Sequence, residues 1–145
     1  MLFKIDAIFE RIGCYTFLGY ILGLIPKDNN LMVWTSYPSF GDSVWIYYEY
    51  CKQEYPEKNH VWIQARKPVL EVPKDVISYN FWSIKGIAIL LRAKVIFTNN
   101  NEFYRLKSRN QILIDFWHGI PIKNILNYDN ALGTRIQKHA YKTSY

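Results

Sequence analysis

The chain has 145 residues, of which 50% are hydrophobic, 21% are charged, and only seven are Gly and six Pro. This composition excludes a disordered, collagen-like or low-complexity protein. The length fits one domain and, taken alone, excludes a two-domain enzyme with a ligand cleft between its lobes. The net charge of +6 is uneven, because residues 1–84 carry −1 and residues 85–145 carry +7. The basic half suits a phosphorylated ligand, an anionic lipid or nucleic acid, or it simply forms solvated helix faces.

The first predicted element is an apolar to amphipathic helix from Leu2 to Leu24, ended by Pro26. Its uncharged stretch between Arg11 and Lys27 has fifteen residues, fewer than the roughly 20 that span a bilayer. Two interpretations stay open: a helix packed on a protein core, or a helix that lies in a membrane surface. We expect residues 1–26 to form this segment and residues 27–145 to form the following lobe.

Short apolar runs then alternate with helical patterns. A helix is predicted from Asp42 or Ser43, either of which can cap it, to Pro56. A second helix is predicted over residues 81–93, a loop or short helix over 100–110, and one or two helices from Ile122 onward. Strands are predicted at Leu31–Ser36, His60–Ala65, Val76–Asn80, Lys94–Asn99 and Gln111–Trp117. This order predicts an α/β fold with a Rossmann-like parallel sheet of about five strands, covered on both faces.

Neither cysteine lies in a pattern that carries chemistry. Cys14 and Cys51 have no CxxC or Cys/His spacing, so no metal site is predicted and both are expected to be reduced and buried. Nucleotide-binding and hydrolase signatures such as GxGxxG and GxSxG do not occur, and no cofactor is predicted.

The stretch from Phe116 to Lys123 carries the chemistry. It follows a buried strand, at the edge where open parallel sheets bind ligands. His118 titrates near neutral pH, Gly119 permits a sharp turn, and Pro121 suits the first turn of a helix. Lys123 would then lie in that first turn, where a bound phosphate offsets its charge. These residues predict a general base beside a phosphorylated substrate; the alternative is a buried structural histidine and a solvated lysine.

The residues 117–123, WHGIPIK, resemble the W-H-G-x-P-(L/I)-K signature of the CDP-glycerol glycerophosphotransferases, which build teichoic acids and related polyol-phosphate capsules. The resemblance extends over roughly residues 21–123, including the first strand and the helix start at Asp42. Ser43 stands where the family usually has Asn, and Phe116 and Ile120 replace commoner polar residues.

The resemblance implies a GT-B fold of two Rossmann-like lobes with the active site between them, of which this chain forms the N-terminal, acceptor-side lobe. It implies that His118 is the catalytic base and that Gly119, Pro121 and Lys123 shape the phosphate end of the pocket. Asp42 would belong to the acceptor-side wall. The implied donor is CDP-glycerol or another CDP-polyol, and the implied acceptor is a lipid-linked polymer. The donor-binding lobe is missing, so the 145 residues alone are expected to be inactive.

The same resemblance favours the interfacial interpretation of residues 2–24 and a peripheral location on the cytoplasmic face of the cell membrane. A second hypothesis is a non-catalytic lobe that docks on a membrane or a partner subunit. Nucleic-acid binding ranks last, because the aromatic residues fall within strand and helix patterns. His60 and His139 are expected to be structural or solvated.

Overall fold

The computed structural model describes residues 14–65, 71–100 and 102–116. Three α-helices and one 3-10 helix lie in these ranges: α1 Cys14–Gly23, α2 Asp42–Glu54, α3 Ile84–Arg92 and the 3-10 helix Tyr104–Leu106. The strands are β1 Asp28–Trp34, β2 Asn59–Gln64, β3 Ser78–Asn80, β4 Ala93–Thr98 and β5 Ile112–Asp115.

The five strands form one sheet in the order β3-β2-β1-β4-β5, and every neighbouring pair is parallel. β1 lies at the centre, with Val33 opposite Val61 of β2 and Ile96 of β4. The chain leaves β1 toward β2 on one side and later returns to β4 on the other. This reversal is the arrangement of a Rossmann-like fold, and it confirms the predicted α/β class and the predicted five parallel strands.

The two faces of the sheet bury different side chains. Alternation along each strand sends successive residues to opposite faces, so Trp34 and Val33 of β1 enter different cores. The aromatic cluster is Trp34, Phe40, Val44, Tyr48, Cys51, Trp62, Val76 and Phe97. The aliphatic cluster is Leu31, Val33, Val61, Ile63, Leu90, Ala93 and Ile96. Helix α2 packs on the aromatic cluster and α3 on the aliphatic cluster, so both faces are covered.

Several predicted boundaries were wrong by one to three residues. β1 begins at Asp28, inside the stretch predicted as a turn, because Asp28 pairs with Ala93 across a register shift. The Asp28 side chain still makes a hydrogen bond typical of turns, since its carboxylate accepts the Asn30 N–H at 2.9 Å. The strand predicted at Val76–Asn80 is the shortest of the five, and it begins at Ser78 rather than Val76.

Helix α3 begins three residues later than predicted, because side-chain hydrogen bonds hold residues 81–83 in a turn and cap the helix at Ser83. The Asn80 Oδ1 atom accepts the Trp82 N–H at 2.8 Å, which holds this residue in a turn. Ser83 is then the N-cap, and its hydroxyl accepts the Gly86 N–H at 2.9 Å. A side chain at Gly86 would collide with the Asn80 carbonyl, so this first helical turn requires glycine.

Helix α1 is the described part of the long helix predicted over residues 2–24; residues 2–13 lie outside the described residues. It ends at Gly23, one residue before the predicted end at Leu24. Lys27 follows, and its Nζ atom donates to Leu22 O at 3.0 Å and Leu91 O at 2.6 Å. Lys27 thereby joins the ends of α1 and α3, and burial lowers the pKa of its ammonium group.

Across the described ranges, the structure contains no helix with both the length and the apolar character needed to cross a bilayer.

Candidate active site

The carboxyl edges of β1 and β4 lie side by side where the strand order reverses. Each of these apolar strands ends in polar residues, Thr35 and Ser36 after β1 and Thr98 and Asn99 at the end of β4. All four side chains are buried. Ligands of open α/β sheets bind at such a reversal point. The sequence therefore places hydrogen-bonding groups at the edge where this fold offers a cleft.

Asn99 joins the two strand ends. Its Oδ1 atom accepts the backbone N–H of Tyr37 at 3.0 Å, and its Nδ2 atom donates to Tyr37 O at 3.4 Å. The same Nδ2 atom donates to Asp42 Oδ2 at 3.0 Å. Because the Asn99 side chain is fully buried, leaving its polar atoms without partners would be costly. Asn99 thus fixes both the loop after β1 and the carboxylate at the start of α2.

Asp42, predicted for the acceptor-side wall, lies at this edge and is exposed to solvent. Neither it nor Ser43 is the N-cap, as the sequence had suggested; the N-cap is Gly41, and Asp42 is the first helical residue. The Asp42 Oδ1 atom accepts the Ser43 N–H at 2.8 Å. A carboxylate in the first turn is favoured by the positive end of the helix dipole. Asp42 is therefore held by both the helix start and Asn99.

The loop that carries Asp42 has a strained backbone. Phe40 and Asp42 have φ values of 58° and 65°, in the left-handed region that bulky residues rarely adopt. The buried Phe40 ring holds this conformation by packing 4.9 Å from Trp62 and 6.0 Å from Trp45, measured between ring centroids. Strain of this kind persists where surrounding packing determines it, and it clusters at functional sites.

Glu102 is a further acidic group at this edge. Its Oε2 atom accepts the Thr35 hydroxyl at 2.8 Å, and its backbone N–H donates to Thr98 Oγ1 at 3.3 Å. Neither Glu102 nor the bridging role of Asn99 was predicted from the sequence. The available signal was the polar run TNNNE at residues 98–102, which begins at the last residue of the apolar strand β4.

His118, Gly119, Pro121 and Lys123 lie outside the described residues. The described chain reaches Phe116, whose backbone N–H donates to Thr98 O at 2.8 Å. The Phe116 ring lies 5.2 Å from Tyr47 of α2. The polypeptide therefore arrives at the carboxyl edge, beside Thr98 and Asn99, immediately before the WHG signature.

His60 and Cys51 belong to the core rather than to this edge. His60 is buried, and its Nε2 atom is 3.0 Å from Tyr55 O. Its ring stacks against Trp34 at 5.9 Å. Burial raises the pKa of the Cys51 thiol, which favours the unreactive protonated form. In the part of the chain that the structure describes, no three His, Cys, Asp or Glu side chains group as metal ligands.

The chain is similar in sequence and in fold to teichoic acid polymerases. The chain is 27% identical to the teichoic acid poly(glycerol phosphate) polymerase of Bacillus spizizenii over 133 residues, which cover 88% of this chain and 33% of that polymerase. Its fold matches the structure of the wall teichoic acid polymerase TagF with a TM-score of 0.67 and 20% identity, over 94% of this chain and 36% of that one. A TagF variant soaked with CDPG matches with the same TM-score and 18% identity, over 98% and 38% of the two chains.

These matches confirm the predicted Rossmann-like lobe of a GT-B fold. The chain spans about a third of the length of the relatives it matches. The model of one family covers residues 20–144, which include both the Asp42 loop and the WHGIPIK signature. The chain belongs to the CDP-glycerol:poly(glycerophosphate) glycerophosphotransferase family.

Proposed function

We propose that this chain is the acceptor-side lobe of a transferase that moves glycerol phosphate, or a similar polyol phosphate, from a CDP-activated donor to a lipid-linked cell-wall or capsule polymer. The observation that carries this proposal is the family match over residues 20–144. Further support comes from two similar proteins, a teichoic acid poly(glycerol phosphate) polymerase and a wall teichoic acid polymerase soaked with CDPG.

His118 is the general base in this proposal. It takes the proton from the terminal hydroxyl of the acceptor, and the resulting alkoxide oxygen forms a bond to the β-phosphorus of CDP-glycerol. The bond from that phosphorus to the bridging oxygen breaks, and CMP leaves with the electron pair. Connectivity supports the role, because His118 follows two residues after Phe116, whose backbone bonds to Thr98. A histidine suits this task since its pKa lies near neutral pH.

The other predicted residues take part in binding. Gly119 lets the backbone approach the substrate, Pro121 starts the following helix, and Lys123 meets phosphate charge. Asp42 forms the acceptor-side wall, where a carboxylate can accept hydrogen bonds from polyol hydroxyls. Its attachment to Asn99 at 3.0 Å keeps that acceptor in one position.

The proposed division is a membrane-associating helix at residues 1–26 and a Rossmann-like lobe at 27–145. A second lobe would bind the donor nucleotide, and the assembled enzyme would lie on the cytoplasmic face of the membrane. Support comes from α1 and the residue that follows it, where four large apolar or aromatic side chains are exposed: Phe17, Tyr20, Ile21 and Leu24. They follow an i, i+3, i+4, i+7 spacing and so lie on one face, as in interfacial helices.

The test of the proposed function measures CMP release from CDP-glycerol with a lipid-linked acceptor analogue. The protein assayed is the longest natural translation product that contains these 145 residues. We expect His118→Ala to lower turnover by about a hundredfold or more, the usual contribution of a general base. His139→Ala is the matched control, because it removes a histidine outside the signature. We expect the 145 residues alone to release no CMP.

Three results would contradict this proposal. Absence of CMP release from the complete protein argues against the transferase activity. Unchanged turnover in His118→Ala removes the assigned base. Robust transfer by the 145 residues alone contradicts the need for a second lobe.

A second candidate is a non-catalytic lobe that docks on a membrane, favoured by the exposed face of α1. In liposome flotation, Phe17→Ser with Leu24→Ser should abolish binding under this candidate, while His118→Ala should leave binding unchanged. Ile84→Ser is the matched control, because Ile84 is exposed at 90% on α3. Membrane binding without any CMP release favours this candidate over the transferase.

A further inference from the structure

A cavity of about 300 Å³ lies between α1 and the segment that follows the 3-10 helix. This segment runs into the start of β5 at Ile112, so the cavity is near the amino ends of the strands rather than the carboxyl edge. It is lined by Tyr15, Gly19, Tyr20, Lys107, Ser108 and Arg109. The catalytic assignment of the WHG signature uses none of these residues.

The walls of the cavity are fixed to each other by hydrogen bonds to backbone carbonyls of α1. The Arg109 N–H donates to Gly19 O at 3.2 Å, and Asn110 Nδ2 donates to Gly23 O at 3.0 Å. A side-chain carbon at Gly19 would lie 3.4 Å from Lys107 O, in ordinary van der Waals contact, so the two walls are closely packed at this point. The cavity is therefore built into the packing of α1 rather than formed by loose surface side chains.

Positive charge is concentrated on this cavity. Lys107 and Arg109 line it, and neither forms an ion pair with any residue in the described ranges. The Arg109 guanidinium lies over the Tyr20 ring at 5.2 Å, and the Arg105 guanidinium lies over Tyr15 at 5.4 Å. Stacking on a ring limits the motion of a guanidinium while its N–H groups stay directed outward, which suits phosphate recognition.

The buried hydroxyl of Ser108 is a second, independent indication of a ligand site. The residue is fully buried, and its hydroxyl forms no hydrogen bond with any described residue. Its backbone is held in place by Gln111, whose Oε1 atom accepts the Ser108 N–H at 2.9 Å. A buried hydroxyl without a partner is unfavourable and calls for an explanation. Because Ser108 is covered, a ligand oxygen reaches this hydroxyl only when a lining side chain moves.

We infer that this cavity binds the phosphate group of a phosphate ester. Lys107 and Arg109 neutralise the phosphate, and the Ser108 hydroxyl donates to one of its oxygens. The carbon side of the ester meets the exposed apolar side chains at the end of α1, where Phe17 and Leu24 flank Tyr20. Two sources offer this chemistry: the headgroup of an anionic glycerophospholipid, or a soluble or polymeric glycerol phosphate.

The experiment titrates the complete protein with three probes and measures the dissociation constant of each. They are sn-glycerol 3-phosphate, vesicles of phosphatidylglycerol mixed with phosphatidylcholine, and inorganic phosphate, with pure phosphatidylcholine vesicles as the blank. Arg109→Gln should weaken ester binding by roughly tenfold, because it removes a charged hydrogen-bond donor. Ser108→Ala should weaken it by about fivefold. Lys85→Gln is the charge-matched control, since Lys85 also lies over a tyrosine, Tyr79, at 4.7 Å.

The probes separate the two sources. Binding to phosphatidylglycerol vesicles but not to glycerol 3-phosphate supports the site and identifies a lipid headgroup. The reverse supports the site and identifies a soluble or polymeric ester. Binding of inorganic phosphate without either ester overturns the inference, and so does ester binding that Arg109→Gln and Ser108→Ala leave unchanged.

Folding of the variants is checked by thermal melting. Ser108→Ala should fold normally, because the hydroxyl that it removes makes no hydrogen bond within the described structure. These measurements require no turnover, so their outcome is independent of the proposed transferase activity.

Discussion

The two faces of the sheet differ in more than composition. In the aromatic cluster, rings contact each other in defined geometry; Trp34 and Phe97 stack at 4.0 Å with only 10° between their planes. Tyr48 of α2 meets Trp34 edge-on at 5.4 Å. The aliphatic cluster buries branched side chains that interact without a fixed direction. Ring geometry restricts orientation as well as distance, so the aromatic face orients α2 more tightly than the aliphatic face orients α3.

This difference bears on the candidate site. Helix α2 carries Asp42 in its first turn, and the loop before it is anchored through the Phe40 ring on Trp62. The aromatic face therefore positions the proposed acceptor-side wall, while the aliphatic face packs against α3. Breaking one face should disturb the candidate site, and breaking the other should lower stability alone.

The largest expected effect comes from Trp34→Ala. Trp34 is fully buried at the centre of the aromatic cluster, and such a truncation costs about 4 kcal/mol in the free energy of unfolding. Urea denaturation measures this loss. Because Tyr48 packs on Trp34, we also expect α2 to shift, which would move the NMR signal of the Asn99 side-chain amide that donates to Asp42.

Leu90→Ala is the matched control on the other face. Leu90 is also buried, and its truncation should cost about 3 kcal/mol. The Asn99 amide signal should stay in place, because α3 lies away from Asp42. Equal movement of that signal in both variants would refute the assignment of the site to the aromatic face alone.

The sheet was predictable from sequence because its strands are short apolar runs bounded by turn residues. The five strands were predicted correctly, but several of their boundaries were not, since Asp28 pairs by its backbone despite a polar side chain. Asp42 was found through a motif, but its partner was not. The bond from Asn99 to Asp42 joins residues 57 positions apart, and no local pattern reports a contact that depends on two strands becoming neighbours.

A smaller effect is expected from Asn99→Ala, which tests how the aromatic face is linked to the polar edge. The substitution removes the acceptor for the Tyr37 N–H and the donor to Asp42. Loss of these buried hydrogen bonds should lower the free energy of unfolding by about 2 kcal/mol. CMP release by the complete protein should fall as well, because Asp42 loses its fixed position.

Asn99→Asp separates the role of Asn99 as an acceptor for Tyr37 from its role as a donor to Asp42. It keeps an acceptor for Tyr37, but an ionised aspartate cannot donate to Asp42 and repels its carboxylate. We expect this variant to lose more turnover than Asn99→Ala. Full turnover in both variants would show that the position of Asp42 does not matter to the reaction.

The smallest expected effect concerns the ion pair at the other end of α2. Lys52 Nζ lies 2.7 Å from Asp75 Oδ2 and 5.8 Å from the centre of the Tyr48 ring. The hydrogen bond from Lys52 lowers the pKa of Asp75 below its ordinary value. Since a depressed carboxyl pKa stabilises the folded state above the unfolded pKa of about 3.9, this contribution is present at neutral pH. It disappears as the pH falls through the lower, folded value.

Asp75→Asn should therefore lower the melting temperature slightly at pH 7, and this difference from the wild type should vanish in strong acid. Glu57→Gln is the control, because Glu57 is exposed and forms no ion pair with any described residue. Both Asp75 and Lys52 are solvent-accessible, and water and salt screen such pairs. A large loss of stability in Asp75→Asn, comparable to that of Trp34→Ala, would show that charge rather than ring packing holds α2 on the sheet.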